Sequence, residues 1–353
     1  MKRSKVWWNG SVAMAKESAT AILLVGGRGT RLAPLTDHTP KPMLPVGGVP
    51  FTLHQLLKAR DAGIRRIVLA TSYLAEVFEP YFGDGSRFGL EIVYAVETEA
   101  LGTGGGIRNA ASLLDSAFSI GAHSHLDGDS PVVIFNGDVL SAHDLSRQIA
   151  FHQERDADVT LYLTKVSDAR AYGVVPTDSD GWVEAFLEKM ENPISDQINA
   201  GCYIFKKSVI DSIPTGRVVS VERETFPALL ASGSRFQGFV DTGYWRDIGT
   251  PQALIEASAD LITGRFHSAA TPTPNSASGV GYIAPSAEVS EKAVVSHGSV
   301  VLSGAEVGQD CVIEASIVGE GAKVEAGTVI RNAFVAPGSR IASDRSKGEI
   351  LGF

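Results

Sequence analysis

Over roughly the first 260 residues, the apolar positions follow two spacings in alternation, one typical of buried strands and one of helices. Short apolar or β-branched runs predict strands, and apolar residues three or four apart predict helices. The predicted strands lie at 21–25, 66–71, 90–95, 131–135 and 158–164, and the predicted helices at 51–62, 74–82, 103–114 and 144–155. This alternation predicts a mostly parallel sheet covered by helices on both faces. Ligands of such sheets bind at the carboxyl ends of the strands.

Beyond residue 281 the pattern changes to one aliphatic residue in every six. A period of six with small and turn-forming residues between the aliphatic ones indicates a left-handed parallel β-helix of the hexapeptide type. Three units form one coil, so we expect about three coils. Single-residue slips interrupt the period after residue 313. The repeating residues are Ile283, Val289, Val295, Val301, Val307, Ile313, Val318, Val324, Ile330, Val335 and Ile341.

The two patterns divide the chain. We predict a disordered extension at 1–20, an α/β domain at 21–263, a linker rich in Ser, Ala, Thr and Pro at 264–281, a β-helix at 282–345 and a tail at 346–353. A length of 353 residues fits two folded domains. Within the extension, either Met1 or Met14 can be the start of translation.

Composition narrows the functional classes. The net charge of −9 argues against a general nucleic-acid binder, which usually carries a basic face. No apolar run reaches the roughly 18–20 residues that a membrane span needs. Cys202 and Cys311 lie far apart and lack metal-ligand spacing, so we expect two buried thiols and a cytoplasmic protein.

A glycine-rich loop, Gly26-Gly27-Arg28-Gly29, follows the first predicted strand. Glycines allow backbone N–H groups to approach a phosphate chain and to form an anion-binding nest. The spacing is neither G-x-G-x-x-G nor that of a P-loop, because no Gly-Lys-Ser/Thr follows. Arg31 and Lys41 come shortly after the loop. Two cations near a phosphate nest predict a triphosphate site.

The run GGRGTRLAPLTDHTPKPMLPVGGVP at 26–50 resembles the opening signature of sugar-1-phosphate nucleotidyltransferases, most closely the guanylyltransferases that make GDP-mannose or GDP-heptose. Further motifs agree in order, and together the resemblance covers roughly residues 20–345. In one departure, MENP at 190–193 replaces the proline that usually follows the FLEK motif directly. The further motifs are ETEALGTGG at 97–105, FNGD at 135–138, FLEK at 186–189, INAG at 198–201 and YWRDIGTP at 244–251.

The resemblance implies a Rossmann-like nucleotidyltransferase domain with a mixed, mostly parallel sheet. It also implies a reaction in which GTP and mannose 1-phosphate give GDP-mannose and pyrophosphate. Arg31 is then expected near the phosphates and Lys41 between the nucleophile and the α-phosphate. Asp138 and Asp247 are expected to bind Mg²⁺, which takes few protein carboxylates and keeps phosphates and waters as its other ligands.

The resemblance also divides the remaining candidates between two substrates. The expected sugar-phosphate residues are Gly173, Glu188, Lys189 and Asn199. The expected nucleotide-binding residues are Val25, Gly26, Gly27, Gly29, Thr30, Glu97, Gly102 and Thr103.

Base choice depends on Glu97, where the thymidylyl and uridylyl relatives have a glutamine. Guanine presents two adjacent donors, N1–H and N2–H₂, and one carboxylate can accept from both. We therefore expect GTP. Glu99 is the competing reader, and an acid in this loop can also be merely solvated.

Three alternatives stay open. The enzyme class can hold with another substrate, either heptose 1-phosphate or glucose 1-phosphate with ATP, dTTP or UTP. The β-helix can be an acyltransferase with His297 as its base. The chain can also be a non-catalytic regulatory homologue, although it retains all four of the expected catalytic and metal residues. We further expect a homo-oligomer formed through the β-helix, because the open end of a β-helix exposes unpaired backbone edges.

Overall fold

A computed structural model describes residues 19–114, 126–342, 345–346 and 350–352. Residues 1–18 of the predicted extension lie outside this range. The α/β domain contains strands β1 Thr20–Leu24, β2 Pro45–Val46, β3 Val49–Pro50, β4 Arg66–Thr71, β5 Glu91–Val96, β6 Pro131–Asn136, β7 Val139–Ser141, β8 Val159–Lys165, β9 Gly173–Val174, β10 Leu187–Glu188, β11 Gln197–Lys206, β12 Phe236–Val240 and β13 Trp245–Asp247. Its helices are α1 Phe51–Asp61, α2 Phe78–Phe82, α3 Gly102–Ala111, α4 Leu145–Glu154, α5 Lys207–Ser212, α6 Phe226–Ala231 and α7 Pro251–Ile262.

The main sheet is mixed. Its order is β10-β9-β11-β6-β1-β4-β5, and β8 extends it by pairing with both β11 and β12. Strands β6, β1, β4 and β5 run parallel, whereas β11 is antiparallel to β6 and β8. The parallel half and the helices confirm the predicted fold class.

The helices bury both faces of this sheet. Alternate residues of β1 belong to different layers: Ile22 packs on the side of α3, and Leu23 packs on the side of α1. This alternation follows from the two-residue repeat of a strand, and it explains why the central strands are apolar throughout.

The predicted helix at 74–82 is shorter and split. A 3₁₀ turn at Ala75–Val77 precedes α2, and Leu74 before it has a left-handed φ of 51°. A residue in that conformation cannot belong to a right-handed helix. The pattern also left β2, β3, β7, β9 to β13, α5, α6 and α7 unpredicted.

Residues after 280 form a three-sided parallel β-helix. Its strands are β14 Gly281–Ile283, β15 Glu288–Val289, β16 Val294–Ser296, β17 Ser299–Val301, β18 Glu306–Val307, β19 Val312–Glu314, β20 Ile317–Val318, β21 Lys323–Val324, β22 Val329–Arg331, β23 Phe334–Val335, β24 Arg340–Ile341, β25 Arg345–Ser346 and β26 Ile350–Leu351. One sheet has five of these strands and the other two have four each. Five strands on one side correspond to four coils, one more than predicted, and strands form beyond residue 345. The periodic aliphatic residues line its interior.

The β-helix packs against α7, the helix that follows β13. Val300, Ile317 and Phe334 share an apolar cluster with Leu254 and Leu261 of α7. Gly298 makes this close approach possible, because a Cβ at that position would lie 2.7 Å from the Cα of Ala259.

Hydrogen bonds hold the predicted linker at 264–281 against α1 and against the first strand of the β-helix. His54 Nδ1 lies 2.7 Å from Ser268 Oγ, and Asn275 exchanges two hydrogen bonds with the backbone of Ile283. Burial lowers the pKa of His54 to about 4.

Among the described residues, no helix is both long and apolar enough to cross a membrane.

Candidate active site

The glycine-rich loop leaves the carboxyl end of β1 and borders a cavity of about 520 Å³. Its conformation depends on close contacts that a side chain would block. A Cβ on Gly26 would lie 2.5 Å from Ser72 Oγ, which donates to Gly26 O at 2.7 Å. Gly29 has a φ of 63°, and a Cβ there would lie 2.8 Å from the Cβ of Lys41. The loop therefore lies directly against the lysine.

Most of the predicted nucleotide-binding residues line this cavity. Gly26, Gly27, Gly29, Thr30, Glu97, Gly102 and Thr103 are among them, together with Arg31, Lys41 and Asp138. Val25 is the exception, since its side chain is fully buried in the core and its N–H donates to Ala70 O.

Lys41 and two carboxylates meet at the mouth of the cavity. Lys41 Nζ donates to Asp138 Oδ2 at 3.0 Å and lies 3.9 Å from Asp247 Oδ1. Arg31 lies 3.9 Å from the other oxygen of Asp247, and its side chain is 67% exposed. Arg31 rests against Gly249, where a Cβ would lie 2.8 Å from the guanidinium. Lys41 is thus held between two acids, whereas Arg31 is open to a ligand.

Backbone pairing brings the two aspartates together. Strands β7 and β13 are antiparallel with Val139 opposite Asp247, and Ile248 N–H donates to Asp138 O at 2.9 Å. Gly137 is required before Asp138, because a Cβ there would lie 2.3 Å from Leu24 O. Segments about a hundred residues apart in sequence therefore converge at one edge of the sheet.

The environment of Asp247 suits a cation. Burial raises the pKa of its carboxyl, the neighbouring Asp138 raises it further, and Lys41 and Arg31 oppose both effects. Asp247 Oδ1 is buried and has no hydrogen-bond partner among the described residues. A buried, unpartnered carboxylate oxygen beside a second carboxylate matches what Mg²⁺ uses in proteins. No cluster of three or more ligating side chains occurs in the described part of the chain.

Glu97 lies at the far end of the same cavity. Its Oε2 accepts from Leu101 N–H at 3.1 Å, and Oε1 sits where a Cβ on Gly106 would be 2.6 Å away. Burial raises the pKa of Glu97. Glu99 is exposed and does not line the cavity. Of the two candidate base readers, only Glu97 lines this cavity.

Thr103 and Gly102 connect the Glu97 side of the cavity to the segment at 219–222, which the apolar spacing did not predict. Thr103 Oγ1 donates to Glu222 at 2.8 Å and accepts from Val221 N–H at 2.9 Å. Gly102 has a φ of 72°, and a Cβ there would lie 2.6 Å from Val219 O. The start of α3 is therefore anchored to the 219–222 backbone.

A second cavity of about 380 Å³ adjoins the first. All four predicted sugar-phosphate residues line it, and Asn136 and Asp138 border both cavities. Gly173 and Glu188 are paired across β9 and β10, and Lys189 Nζ lies 3.6 Å from Glu188 Oε1. Asn199 Oδ1 accepts from Gly201 N–H at 3.3 Å, at a break in the β11–β8 register.

Several residues of the second cavity were not predicted from the sequence. Most come from short segments without a period, whereas Trp245 belongs to the YWRDIGTP motif, in which only Asp247 was taken as a site residue. Tyr172 stacks edge-on against Trp245 at 5.4 Å, and Trp245 Nε1 donates to Ala200 O. Ser220, Glu222 and Arg223 also line this cavity, and they lie at the start of a π-helical turn at Val221–Thr225.

His297, the candidate base of an acyltransferase, lies far from these cavities along the chain, exposed in a β-helix turn beside Ser296.

The comparisons with known proteins agree with this geometry. The profile of the family described as "Nucleotidyl transferase" matches residues 20–264. The chain is 50% identical over 296 residues to a mannose-1-phosphate guanylyltransferase of Mycobacterium tuberculosis, which covers 84% of this chain and 78% of the relative. It is 38% identical to the mannose-1-phosphate guanylyltransferase catalytic subunit beta of Drosophila pseudoobscura pseudoobscura, over 69% of this chain and 61% of that protein.

Solved structures show the same architecture. HddC of Yersinia pseudotuberculosis in complex with GMP-PN superimposes with a TM-score of 0.55 at 28% identity, covering 68% of this chain and 97% of that one. A putative glucose-1-phosphate thymidylyltransferase of Bacillus anthracis gives a TM-score of 0.59 at 24% identity, over 68% and 94% of the two chains.

Proposed function

Because the chain belongs to the nucleotidyl transferase family, we propose that it transfers GMP from GTP to mannose 1-phosphate, giving GDP-mannose and pyrophosphate. The observation that carries the proposal is the pair of adjoining cavities with Asp138 at their border. One cavity has the glycine-rich loop and Glu97, and the other has Glu188, Lys189 and Asn199. The names of the relatives at 50% and 38% identity support the same substrates.

The reaction joins two polyanions. An oxygen of mannose 1-phosphate attacks the α-phosphorus of GTP, and the bond from that phosphorus to the β-bridging oxygen breaks, so that pyrophosphate leaves. The attacking phosphate needs no strong base, since its second pKa is about 6. Positioning and charge neutralisation are the main tasks of the protein.

Lys41 and Arg31 supply the positive charge. Lys41, fixed by Asp138 and Asp247 at the junction of the cavities, neutralises charge between nucleophile and α-phosphate. Arg31 is exposed beside the glycine-rich loop, where it reaches the phosphates of the leaving group. Backbone N–H groups of that loop bind the phosphate chain.

Asp138 and Asp247 are the proposed holders of Mg²⁺. The buried, unpartnered Oδ1 of Asp247 and the second carboxylate nearby support this assignment. When bound, the metal neutralises phosphate charge and orients the oxygens for in-line displacement.

Glu97 is the proposed reader of guanine. One of its oxygens is fixed by Leu101 N–H, which aims the carboxylate along the cavity wall. HddC, solved with GMP-PN, is similar to 68% of this chain, and this similarity supports a guanine nucleotide in the corresponding site.

A pyrophosphate-release screen tests the proposal. Purified protein is assayed with GTP, ATP, UTP and dTTP, each crossed with mannose, glucose and heptose 1-phosphates, and the product is identified by mass. We expect GTP with mannose 1-phosphate to give the highest kcat/KM, and Lys41→Ala to remove the signal. A higher kcat/KM for any other combination would contradict the proposed substrates.

We also propose a homo-oligomer formed through the β-helix, in the cytoplasm. One outer face of the β-helix carries Glu288, Glu306, Lys323 and Arg340 in consecutive coils, all exposed. Lys323 and Arg340 already pair with Glu306 and Glu325 of the same chain, and a second copy packed antiparallel would place acids of one copy opposite bases of the other, as a two-fold interface requires. Light scattering at micromolar concentration should give a multiple of 37.3 kDa. A monomeric mass would contradict the proposal.

The proposed location in the cytoplasm is supported by the two cysteines, which are buried and unpaired as expected in a reducing compartment.

A further inference from the structure

Helix α1 presents an unusual buried stripe of polar residues. Thr52, Gln55 and Lys58 are three residues apart and therefore lie on one face of the helix. Thr52 is 0% and Gln55 is 4% exposed, and the Lys58 side chain is also largely buried. Burying polar groups costs free energy unless they are hydrogen-bonded, so their partners determine what the stripe does.

All three side chains donate to backbone carbonyls. Thr52 Oγ1 donates to Pro42 O at 2.8 Å, and Lys58 Nζ donates to Ser141 O at 2.8 Å. Gln55 Nε2 donates to two carbonyls, Asn136 O at 2.7 Å and Val139 O at 3.1 Å. These acceptors belong to the two segments that contain Lys41 and Asp138.

Gln55 has a particular position among the three. Its two acceptors flank Gly137 and Asp138, so one amide group spans the turn that places the Asp138 carboxylate 3.0 Å from Lys41. The same turn is held from β1 by the bond of Gly137 N–H to Leu24 O, and from the β13 side by Ile248 N–H. Gln55 holds it from α1.

We propose that Gln55 is a positioning residue, which fixes the backbone on both sides of Asp138 so that its carboxylate faces the phosphates and the cation. The proposal rests on the proposed function, in which Asp138 holds the metal beside the α-phosphate. Displacements of about 1 Å in such a site can reduce turnover about a hundredfold. GTP contacts the glycine-rich loop and the Glu97 region, which Gln55 does not touch.

The carbonyl of Gln55 indicates which substitution isolates this role. Gln55 Oε1 is buried without a partner among the described residues, so the two N–H donors make the contacts to the turn. Gln55→Met keeps the length of the side chain and removes both donors. Gln55→Ala is the second variant, because it leaves room for water to satisfy the two carbonyls.

The chain offers a matched control in Gln197. This glutamine is also buried, at 8% exposure, and its Nε2 donates to Val175 O at 2.8 Å and to Thr177 Oγ1 at 3.3 Å. Gln197→Met removes the same kind of bond without contact to the Asp138 turn.

Five quantities are measured for each full-length variant: the temperature of unfolding, the dissociation constant of GTP, kcat, KM, and Mn²⁺ binding in the presence of GTP by electron paramagnetic resonance. We expect Gln55→Met and Gln55→Ala to keep the GTP affinity measured without divalent metal, and the KM for mannose 1-phosphate, within about twofold. We expect them to lose at least tenfold in kcat and about fivefold or more in Mn²⁺ affinity. Gln197→Met should share the lower unfolding temperature and retain kcat and Mn²⁺ affinity.

Two results would overturn the proposal. In one, a folded Gln55 variant retains wild-type kcat and Mn²⁺ affinity. In the other, Gln197→Met loses as much of both as the Gln55 variants do, which would reduce the effect to lost stability. If the wild-type protein does not turn over GTP with mannose 1-phosphate, the proposed function fails, whereas Mn²⁺ binding still compares the Gln55 variants with Gln197→Met.

Discussion

Replacing Glu97 by glutamine tests the reading of the base while leaving the loop intact. In the structure, Glu97 Oε2 accepts from Leu101 N–H at 3.1 Å, and Oε1 lies beside Gly106, where the side chain lines the cavity. A glutamine at this position has one oxygen to give to Leu101 N–H. Its amide NH₂ group then occupies the place of the ligand-facing oxygen and meets the N1–H and N2–H₂ donors of guanine.

The size of the effect follows from those contacts. A hydrogen bond to a charged group contributes about 1.5–3 kcal/mol, and in the proposed complex the carboxylate would accept two from guanine. Solvent and adjustment of the base recover part of the loss, so we expect about 2–4 kcal/mol, or about 30- to 1,000-fold in kcat/KM for GTP. The kcat/KM values for UTP and dTTP should not fall, because the carboxylate makes no matched contact with their bases.

The assay is pyrophosphate release with mannose 1-phosphate and each of the four triphosphates. Glu99→Gln is the matched control, since it removes the same charge two residues away from an exposed side chain outside the cavity. Thermal unfolding should be close to wild type for both variants, because the Leu101 contact is retained. An undiminished GTP preference in Glu97→Gln, or an equal loss in Glu99→Gln, would refute the assignment.

Three further predictions follow from the charged cluster. Lys41→Ala and Arg31→Ala should each lower kcat about a hundredfold or more while the fold survives, because each removes charge stabilisation at the phosphates. Excess chelator should abolish turnover, and added Mg²⁺ should restore it. The Mn²⁺ affinity of the substrate-free protein should fall on acidification at a higher pH than titration of an exposed carboxyl near pH 4 would cause, because burial and Asp138 raise the pKa of Asp247 and the charged form that binds the cation is lost as pH falls through that pKa.

Controls separate these effects from loss of structure. Arg235→Ala removes a surface arginine that pairs with Asp156, and it should leave kcat unchanged. Near-wild-type turnover by both Lys41→Ala and Arg31→Ala would contradict the proposed mechanism. Turnover that persists in excess chelator would exclude the metal role, and an Mn²⁺ affinity that stays constant down to the titration range of an exposed carboxyl would exclude a raised pKa at Asp247.

The sequence was most informative where chemistry and periodicity coincide. Strands β1, β4 and β6 and the interior of the β-helix follow from apolar spacing alone, since burial dictates those positions. The rule that strands of a parallel sheet end at the same edge places Asp138 beside the glycine-rich loop, whereas Lys41 and Asp247 were placed there only by the resemblance.

The remaining features depend on tertiary contacts that no local pattern encodes. Gln55 lies in a helix whose apolar residues define its buried face, and nothing in the spacing indicates that a polar side chain is buried there. The segment at 219–225 has no strand or helix period, yet it anchors Thr103 and borders the second cavity. The predicted helix at 74–82 is split because Leu74 has a left-handed φ of 51°, a conformation that a residue with a branched side chain rarely adopts.

The border that Asn136 and Asp138 form between the two cavities has a consequence for the order of events in a catalytic cycle. In the proposed reaction, the nucleotide sugar would lie across that border, with its base in one cavity and its sugar in the other. Bound there, it would exclude both substrates, so the product should compete with GTP and with mannose 1-phosphate. Its departure would then have to precede the next turnover.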